Sequence, residues 1–132
     1  RHADLLDCIQ VRYNLLERAA EEVLFPQAQS LGIGVIVRIP LLFGLLTGKF
    51  TRQSTFGAED HRRMNLSPEK LDAYFAQLDK LRATFDQCPG QTMAQVSLRF
   101  CLTHPACHTA IPGAKTPAQV ADNCAAGDLG PL

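Results

Sequence analysis

A chain of 132 residues is long enough to bury one core, and a make-up of 46% hydrophobic and 20% charged residues is that of a folded domain rather than a disordered one. Thirteen basic and thirteen acidic side chains cancel, so no overall field favours nucleic acid or an anionic membrane. The longest apolar stretch, Ile39 to Leu46, holds a Pro and a Gly and falls far short of the ~20 residues of a membrane-crossing helix.

In chain order, Cys8-Ile9-Gln10-Val11-Arg12-Tyr13 is rich in strand formers and alternates in polarity, which predicts a first strand closed by Asn14. A helix is expected from about Leu15 to Ser30, with Leu16, Ala20, Val23, Leu24 and Ala28 near one face and Gly32 as its left-handed stop. Val35 to Ile39 reads as a second strand, near-continuously β-branched and suited to cover on both sides. A polar, turn-rich excursion follows from Thr47 to Leu66, long enough to imply a function or mobility. Ser67-Pro68 starts a helix whose apolar stripe is Leu71, Tyr74, Phe75, Leu78, Leu81 and Phe85. After the break at Pro89-Gly90, Thr92-x-x-Gln95 is a capping box for a helix that His104-Pro105 ends. His108 to Ile111 is a short third strand, and a last helix runs from about Pro117 to Ala126. Strands alternating with helices imply parallel crossovers, and so short a sheet leaves open edges. The unit therefore reads as part of a larger α/β sheet or barrel.

The five cysteines, Cys8, Cys88, Cys101, Cys107 and Cys124, are odd in number and contain no C-x-x-C pair. Free thiols in a reducing, cytoplasmic compartment are expected rather than a disulfide framework. His2, His61, His104 and His108 do not fall at ligand spacing from the cysteines, so no metal site is predicted. The opening Arg1-His2-Ala3-Asp4 has neither an initiator Met nor a signal pattern, and it suggests a cut inside a longer protein.

Two phrases carry the chemistry. Ile39-Pro40-Leu41-Leu42-Phe43-Gly44-Leu45-Leu46-Thr47-Gly48-Lys49 and Ile111-Pro112-Gly113-Ala114-Lys115-Thr116-Pro117-Ala118-Gln119 each set Gly and Lys where a strand gives way to a loop. Backbone N–H groups and a helix's positive end make such a loop a phosphate cradle. Two cradles on neighbouring units suggest a cofactor with a pyrophosphate and one further phosphate.

With these phrases in place, the chain resembles the aldo/keto reductase family in its C-terminal part. The likeness also covers Ile9-Gln10-Val11-Arg12-Tyr13-Asn14-Leu15-Leu16, the Phe56 to Arg62 excursion, and the run from Ile111 to Asp122-Asn123. The resemblance implies an α/β fold, the C-terminal part of a (β/α)8 TIM barrel with parallel strands alternating with helices. The whole chain, residues 1–132, would then be a single partial domain supplying barrel strands six to eight. It also implies an oxidoreductase that reduces small aldehydes or ketones with NADPH, and NADP as the cofactor. A TIM barrel's phosphate site commonly lies in the loops after strands seven and eight, where the two phrases would fall.

Catalysis in the family uses a Tyr proton donor with Lys, Asp and His, all on earlier strands, so no catalytic residue is assigned here, and Tyr13 and Tyr74 are not at matching positions. The implied contacts are to cofactor. Gln10 would bond the nicotinamide carboxamide, unless neighbouring backbone satisfies it. Arg38 stands where many members stack an aromatic ring, and a guanidinium can stack too; a buried salt bridge is the alternative. Leu41 and Gly44 would offer N–H groups to the pyrophosphate with Lys49 adding charge, or the glycines serve turn geometry alone. Arg62 would close over the adenosine end, or be a solvated loop charge. Gly113, Lys115, Gln119 and Asn123 would surround the adenosine 2′-phosphate and adenine. Members often carry a basic residue at the position of Gly113 and Arg at that of Gln119, so Lys115 alone would carry NADP preference.

The alternative is a non-catalytic nucleotide-binding subunit, regulatory or for assembly, of the same fold; a purely structural fragment leaves the two lysine-bearing turns unexplained. The resemblance further implies that the chain pairs with a missing N-terminal portion of the barrel or with itself, because interior residues among Ile9, Val11, Val35, Val37 and Ile39 would lose their opposing wall.

Overall fold

Three short strands, β1 (Cys8–Arg12), β2 (Gly34–Arg38) and β3 (Thr109–Ile111), form one parallel sheet in the order β1-β2-β3 in the computed structural model, which describes residues 5–132. The register sets Gln10 beside Ile36, Arg12 beside Arg38, and Arg38 beside Ile111. Helix α1 (Leu24–Ser30) connects β1 to β2, helices α2 (Arg62–Asn65), α3 (Pro68–Lys80), α4 (Arg82–Asp86) and α5 (Met93–Thr103) lie between β2 and β3, and α6 (Pro117–Asp128) follows β3.

Period-2 alternation decides what each sheet face meets. Ile9, Val11, Val35, Val37 and Ala110 pack toward Tyr13, Phe25, Ala28, Cys101 and Ala106, on the side of α1 and α5. The opposite face holds Gln10, Arg12, Ile36, Arg38, Thr109 and Ile111, and of these Gln10, Arg38, Thr109 and Ile111 are exposed. This corrects, for the first four, the expectation that some of Ile9, Val11, Val35, Val37 and Ile39 face a barrel interior: the helix layer takes those four and leaves Gln10, Arg12 and Arg38 on the open face, while Ile39 lines a cleft beyond β2. It also corrects the two-sided cover expected of β2. A second core gathers Leu42, Leu45, Leu46, Leu66, Leu71, Leu78, Leu98 and Ala126. Each fully buried side chain of this kind is worth ~1.5–3 kcal/mol.

The continuous helix expected over 15–30 is a tight bend, a 3₁₀ turn at Ala19–Glu21 and then the shorter α1. Asn14 causes the bend: its Oδ1 accepts from the N–H groups of Leu16 and Glu17, both at 3.0 Å, an Asx turn that competes with helix. Pro26 lacks an N–H and so fits only in a first turn, which places the start of α1 at Leu24. Phe25 takes the core position and Val23 is left exposed. The excursion contains α2, and the long helix after Ser67 breaks into α3 and α4 at Leu81. The capping box at Thr92 forms as read, with both reciprocal bonds made.

Candidate functional site

The stretch after β2 is wound against its preferred hand. Ile39, Leu42, Phe43 and Gly44 have φ of +57°, +44°, +55° and +93°. Left-handed backbone at non-glycine residues costs of order 1–3 kcal/mol each and persists only where the surroundings over-determine it. Here the Ile39 carbonyl accepts from Leu42 N–H at 3.1 Å and from Asn14 Nδ2 at 3.3 Å, while Leu42, Leu45 and Leu46 anchor the turn in the core. Gly44 relieves one strained position, and a Cβ there would stand 3.0 Å from the Lys49 ammonium. The missing side chain thus gives Lys49 its place above the turn, with Nζ 5.0 Å from the Phe50 ring.

This turn forms one wall of an open cleft of about 1250 Å³ at the carboxyl ends of β2 and β3. The excursion supplies a second wall through Asp60, His61 and Arg62, and the β3–α6 loop supplies the third. Thr116 caps α6 by accepting from Gln119 N–H at 3.2 Å. A Cβ at Gly113 would meet nothing within 4 Å, so the loop is open toward the cleft.

Of the ten residues picked from the sequence, Arg38, Leu41, Gly44, Lys49, Arg62, Gly113, Lys115, Gln119 and Asn123 line this one cleft. Gln10 does not: it is exposed at the middle of β1 on the open sheet face. Three residues have engagements that bear on their expected roles. The Gly44 N–H donates to the Leu41 carbonyl at 2.8 Å, so it closes the turn instead of facing the cleft. Gln119 Oε1 accepts from Lys115 N–H at 2.7 Å, which leaves the amide nitrogen of Gln119 for a ligand. Arg62 forms a fork–fork pair with Asp60, its Nε 2.9 Å from both carboxylate oxygens, and lies over the rings of Phe56 and Phe50 at 5.2 and 5.6 Å. Bonds from the Arg62 side chain and backbone hold the Asp60 carboxyl far below the usual carboxylate range. Arg38 has no acidic partner among the described residues and is exposed, so a buried ion pair is not its role.

Both tyrosines lie outside the cleft lining. Tyr13 is buried and donates to Glu21 at 2.6 Å; burial first, then that bond, raises its pKa. Tyr74 donates to Glu17 at 2.8 Å and is likewise raised by burial and by that carboxylate.

Sequence reasoning missed Phe43, Asp60, His61 and Asp122 among the lining residues. Asp122 accepts from Thr92 Oγ1 at 3.0 Å and Gln95 Nε2 at 2.9 Å, tying α6 to the start of α5. The capping box was a visible signal at one end of that contact, but nothing local marked the other. Among the described residues all five cysteines are free, no three His, Cys, Asp or Glu converge as metal ligands would, and no helix is long and apolar enough to cross a membrane. His2 lies outside the described residues.

Residues 3–132 match the family model described as the aldo/keto reductase family. Aldo-keto reductase YhdN of Bacillus subtilis is 35% identical over 120 residues, covering 87% of this chain and 35% of that protein. A probable voltage-gated potassium channel subunit beta of Arabidopsis thaliana is 32% identical over 142 residues, covering 98% of this chain and 42% of the other. The structure of a glycerol dehydrogenase from Gluconobacter oxydans superposes with a TM-score of 0.72 at 27% identity, over 92% of this chain and 41% of that one. The chain thus spans about 35–42% of the length of these proteins.

Proposed function

Because the chain belongs to the aldo/keto reductase family, we propose that it supplies the NADP-binding part of an NADPH-dependent carbonyl reductase, its three strands being the last three of an eight-stranded barrel. One observation carries this reading: the two lysine-bearing turns, distant in sequence, converge with Arg38 on a single cleft at the carboxyl ends of parallel strands. That is where an open or barrelled α/β sheet takes its ligands.

The residues suit a nicotinamide dinucleotide. Lys115 and Gly113, with Asn123 and the free nitrogen of Gln119, suit the 2′-phosphate and adenine. Lys49 and the backbone of Leu41 suit the pyrophosphate, and the planar Arg38 suits the nicotinamide face, with Gln10 further along the open face. Arg62, already neutralised by Asp60, would act through its position over the excursion's rings rather than through charge. When bound, the cofactor supplies the hydride; a proton donor must come from residues other than Tyr13 and Tyr74. The substrate class is small aldehydes and ketones, the compartment is the cytoplasm, and the open strand edges would be covered by the remainder of a barrel or by a second copy.

A non-catalytic nucleotide-binding subunit of the same fold is the second reading, favoured by the likeness to the channel subunit beta. Titration of the full-length protein with NADPH and NADH, with carbonyl reduction followed in parallel, separates them. Lys115→Ala should weaken NADPH by about tenfold or more, from a charge-assisted contact of ~1.5–3 kcal/mol, and leave NADH nearly unchanged. Equal losses would mean that Lys115 does not read the 2′-phosphate. Tight NADPH binding without any carbonyl reduction would favour the second reading.

A further inference from the structure

The reverse-wound turn after β2 must be held by something, and its own hydrogen bonds reach only part of it. Glu17, in the bend after β1, touches no part of the cleft, yet its carboxylate is fully engaged. It accepts from Arg12 Nε at 2.6 Å and Arg12 Nη2 at 2.5 Å, from Asn14 Nδ2 at 2.9 Å, and from Tyr74 Oη at 2.8 Å. Burial opposes ionisation here, and the three partners outweigh it, holding the carboxyl below its ordinary range.

Two of these partners continue to the turn. The guanidinium of Arg12, oriented by the fork with Glu17, lies 5.2 Å from the ring of Phe43, one of the left-handed residues lining the cleft. The amide of Asn14, fully buried, passes from the Glu17 carboxylate to the carbonyl of Ile39, the first left-handed residue. The third partner, Tyr74, fixes α3 against the same carboxylate. A planar cation over a ring and a donor at a carbonyl both lose their aim if the carboxylate that orients them is removed.

We propose that Glu17 is a positioning residue for the cofactor cleft, acting through Arg12 on Phe43 and through Asn14 on Ile39 to hold the left-handed turn against which the pyrophosphate and nicotinamide would lie. This rests on the cofactor reading above. It predicts that Glu17 governs one half of the ligand only, because the β3–α6 loop is built from Thr116 and Gln119 and takes no contact from this network.

The test uses the full-length protein and two probes, NADPH and adenosine 2′-phosphate. The second reaches only the β3–α6 side. Glu17→Gln keeps the side chain's size and removes its charge, and NADPH should bind about tenfold more weakly while adenosine 2′-phosphate binds as before. Arg12→Leu should also weaken NADPH alone, and the double variant should lose no more than the weaker-binding single, because Arg12 acts on the turn along a route that Glu17 already governs. Unchanged NADPH affinity, fully additive losses, or equal weakening of both probes would overturn the proposal. If Glu17→Gln does not fold, Tyr74→Phe removes a single bond to the carboxylate, and about a threefold loss for NADPH alone is expected; no selective loss would overturn the proposal. A wild-type protein that binds neither probe would defeat the cofactor reading itself, before any variant is compared.

Discussion

Replacing Asn14 by Ala tests how the bend after β1 is held together. The side chain is fully buried and makes four hydrogen bonds: two accepted from Leu16 and Glu17 N–H, one donated to the Glu17 carboxylate and one to the Ile39 carbonyl. Glu17 N–H keeps a second acceptor, the Asn14 carbonyl at 3.1 Å, and the Ile39 bond is long at 3.3 Å, so neither costs a full bond when lost. The bond to the carboxylate is the strong one, and Leu16 N–H is left without its side-chain acceptor. Taking neutral bonds at ~1 kcal/mol and the charged one at ~1.5–3 kcal/mol, the variant should lose about 3–4 kcal/mol. Equilibrium unfolding of the full-length protein in urea should then show a lower midpoint at an unchanged slope. Asn14→Asp gives a sharper control, for it keeps the acceptors but loses the donors and sets a second carboxylate against that of Glu17. It should be at least as destabilising at neutral pH and should recover partly on mild acidification. A loss below ~1 kcal/mol for Asn14→Ala would refute the claim that the amide bonds, rather than simple space filling, hold this bend.

Three further outcomes follow from the same geometry. Glu17 has a folded pKa below its ordinary 4.5, so its stabilisation is complete above that value and is lost as pH falls through the lower folded value; the stability gap between wild type and Glu17→Gln should therefore shrink below about pH 4.5, and a gap independent of pH would refute it. Burial pushes the thiols of Cys101 and Cys107 up to about 12 and about 11, whereas Cys8 and Cys124 are exposed; mass spectrometry after brief iodoacetamide treatment at neutral pH should find Cys8 and Cys124 modified first, the half-buried Cys107 later, and the buried Cys101 only on unfolding. Gly44→Ala forces a side chain onto φ +93° and against Lys49, and should cost about 1 kcal/mol or more, while Gly113→Ala meets open space and should leave the unfolding midpoint in place.

What the sequence disclosed was local in its physics. The Thr92 to Gln95 capping box, the Pro68 helix start and the β-branched strands each depend on neighbours within a few residues, and each lies close to where it was expected. The helix expected from Leu15 was undone by Asn14, whose side chain took two N–H groups that a helix would have used differently. The faces of β1 and β2 were misread because apolar content alone does not say which layer supplies the cover. The polar set at Gln10, Arg12 and Arg38 carried that information, since three such side chains fit poorly beneath an apolar helix layer. Nine of the ten chosen site residues met in one cleft because loops at the carboxyl ends of adjacent parallel strands must lie side by side. The excursion's inner pairing of Asp60 with Arg62 could not be foreseen in the same way, because spacing alone cannot tell a ligand-facing arginine from one held by its neighbour.

That pairing sorts the cations of the site. Arg12 and Arg62 each face a carboxylate in a fork and lie over one or more aromatic rings, so their charge is already answered and their contribution is to shape. Lys49 and Lys115 line the cleft and form no ion pair among the described residues, and Arg38 joins them. An anion entering the cleft would therefore meet Lys49 on the turn, Lys115 on the β3–α6 loop and Arg38 at the sheet end, beside the carboxylates of Glu59, of Asp60, bonded to Arg62, and of Asp122, bonded to Thr92 and Gln95. Loop cations free of local partners attract an anion from a distance, whereas the forked arginines are held within their own segments, Arg12 by Glu17 and Arg62 by Asp60, whether or not an anion is present. Salt should therefore weaken ligand binding through the lysines more than it loosens the two forks, because screening acts most on exposed charges and less on partly buried pairs.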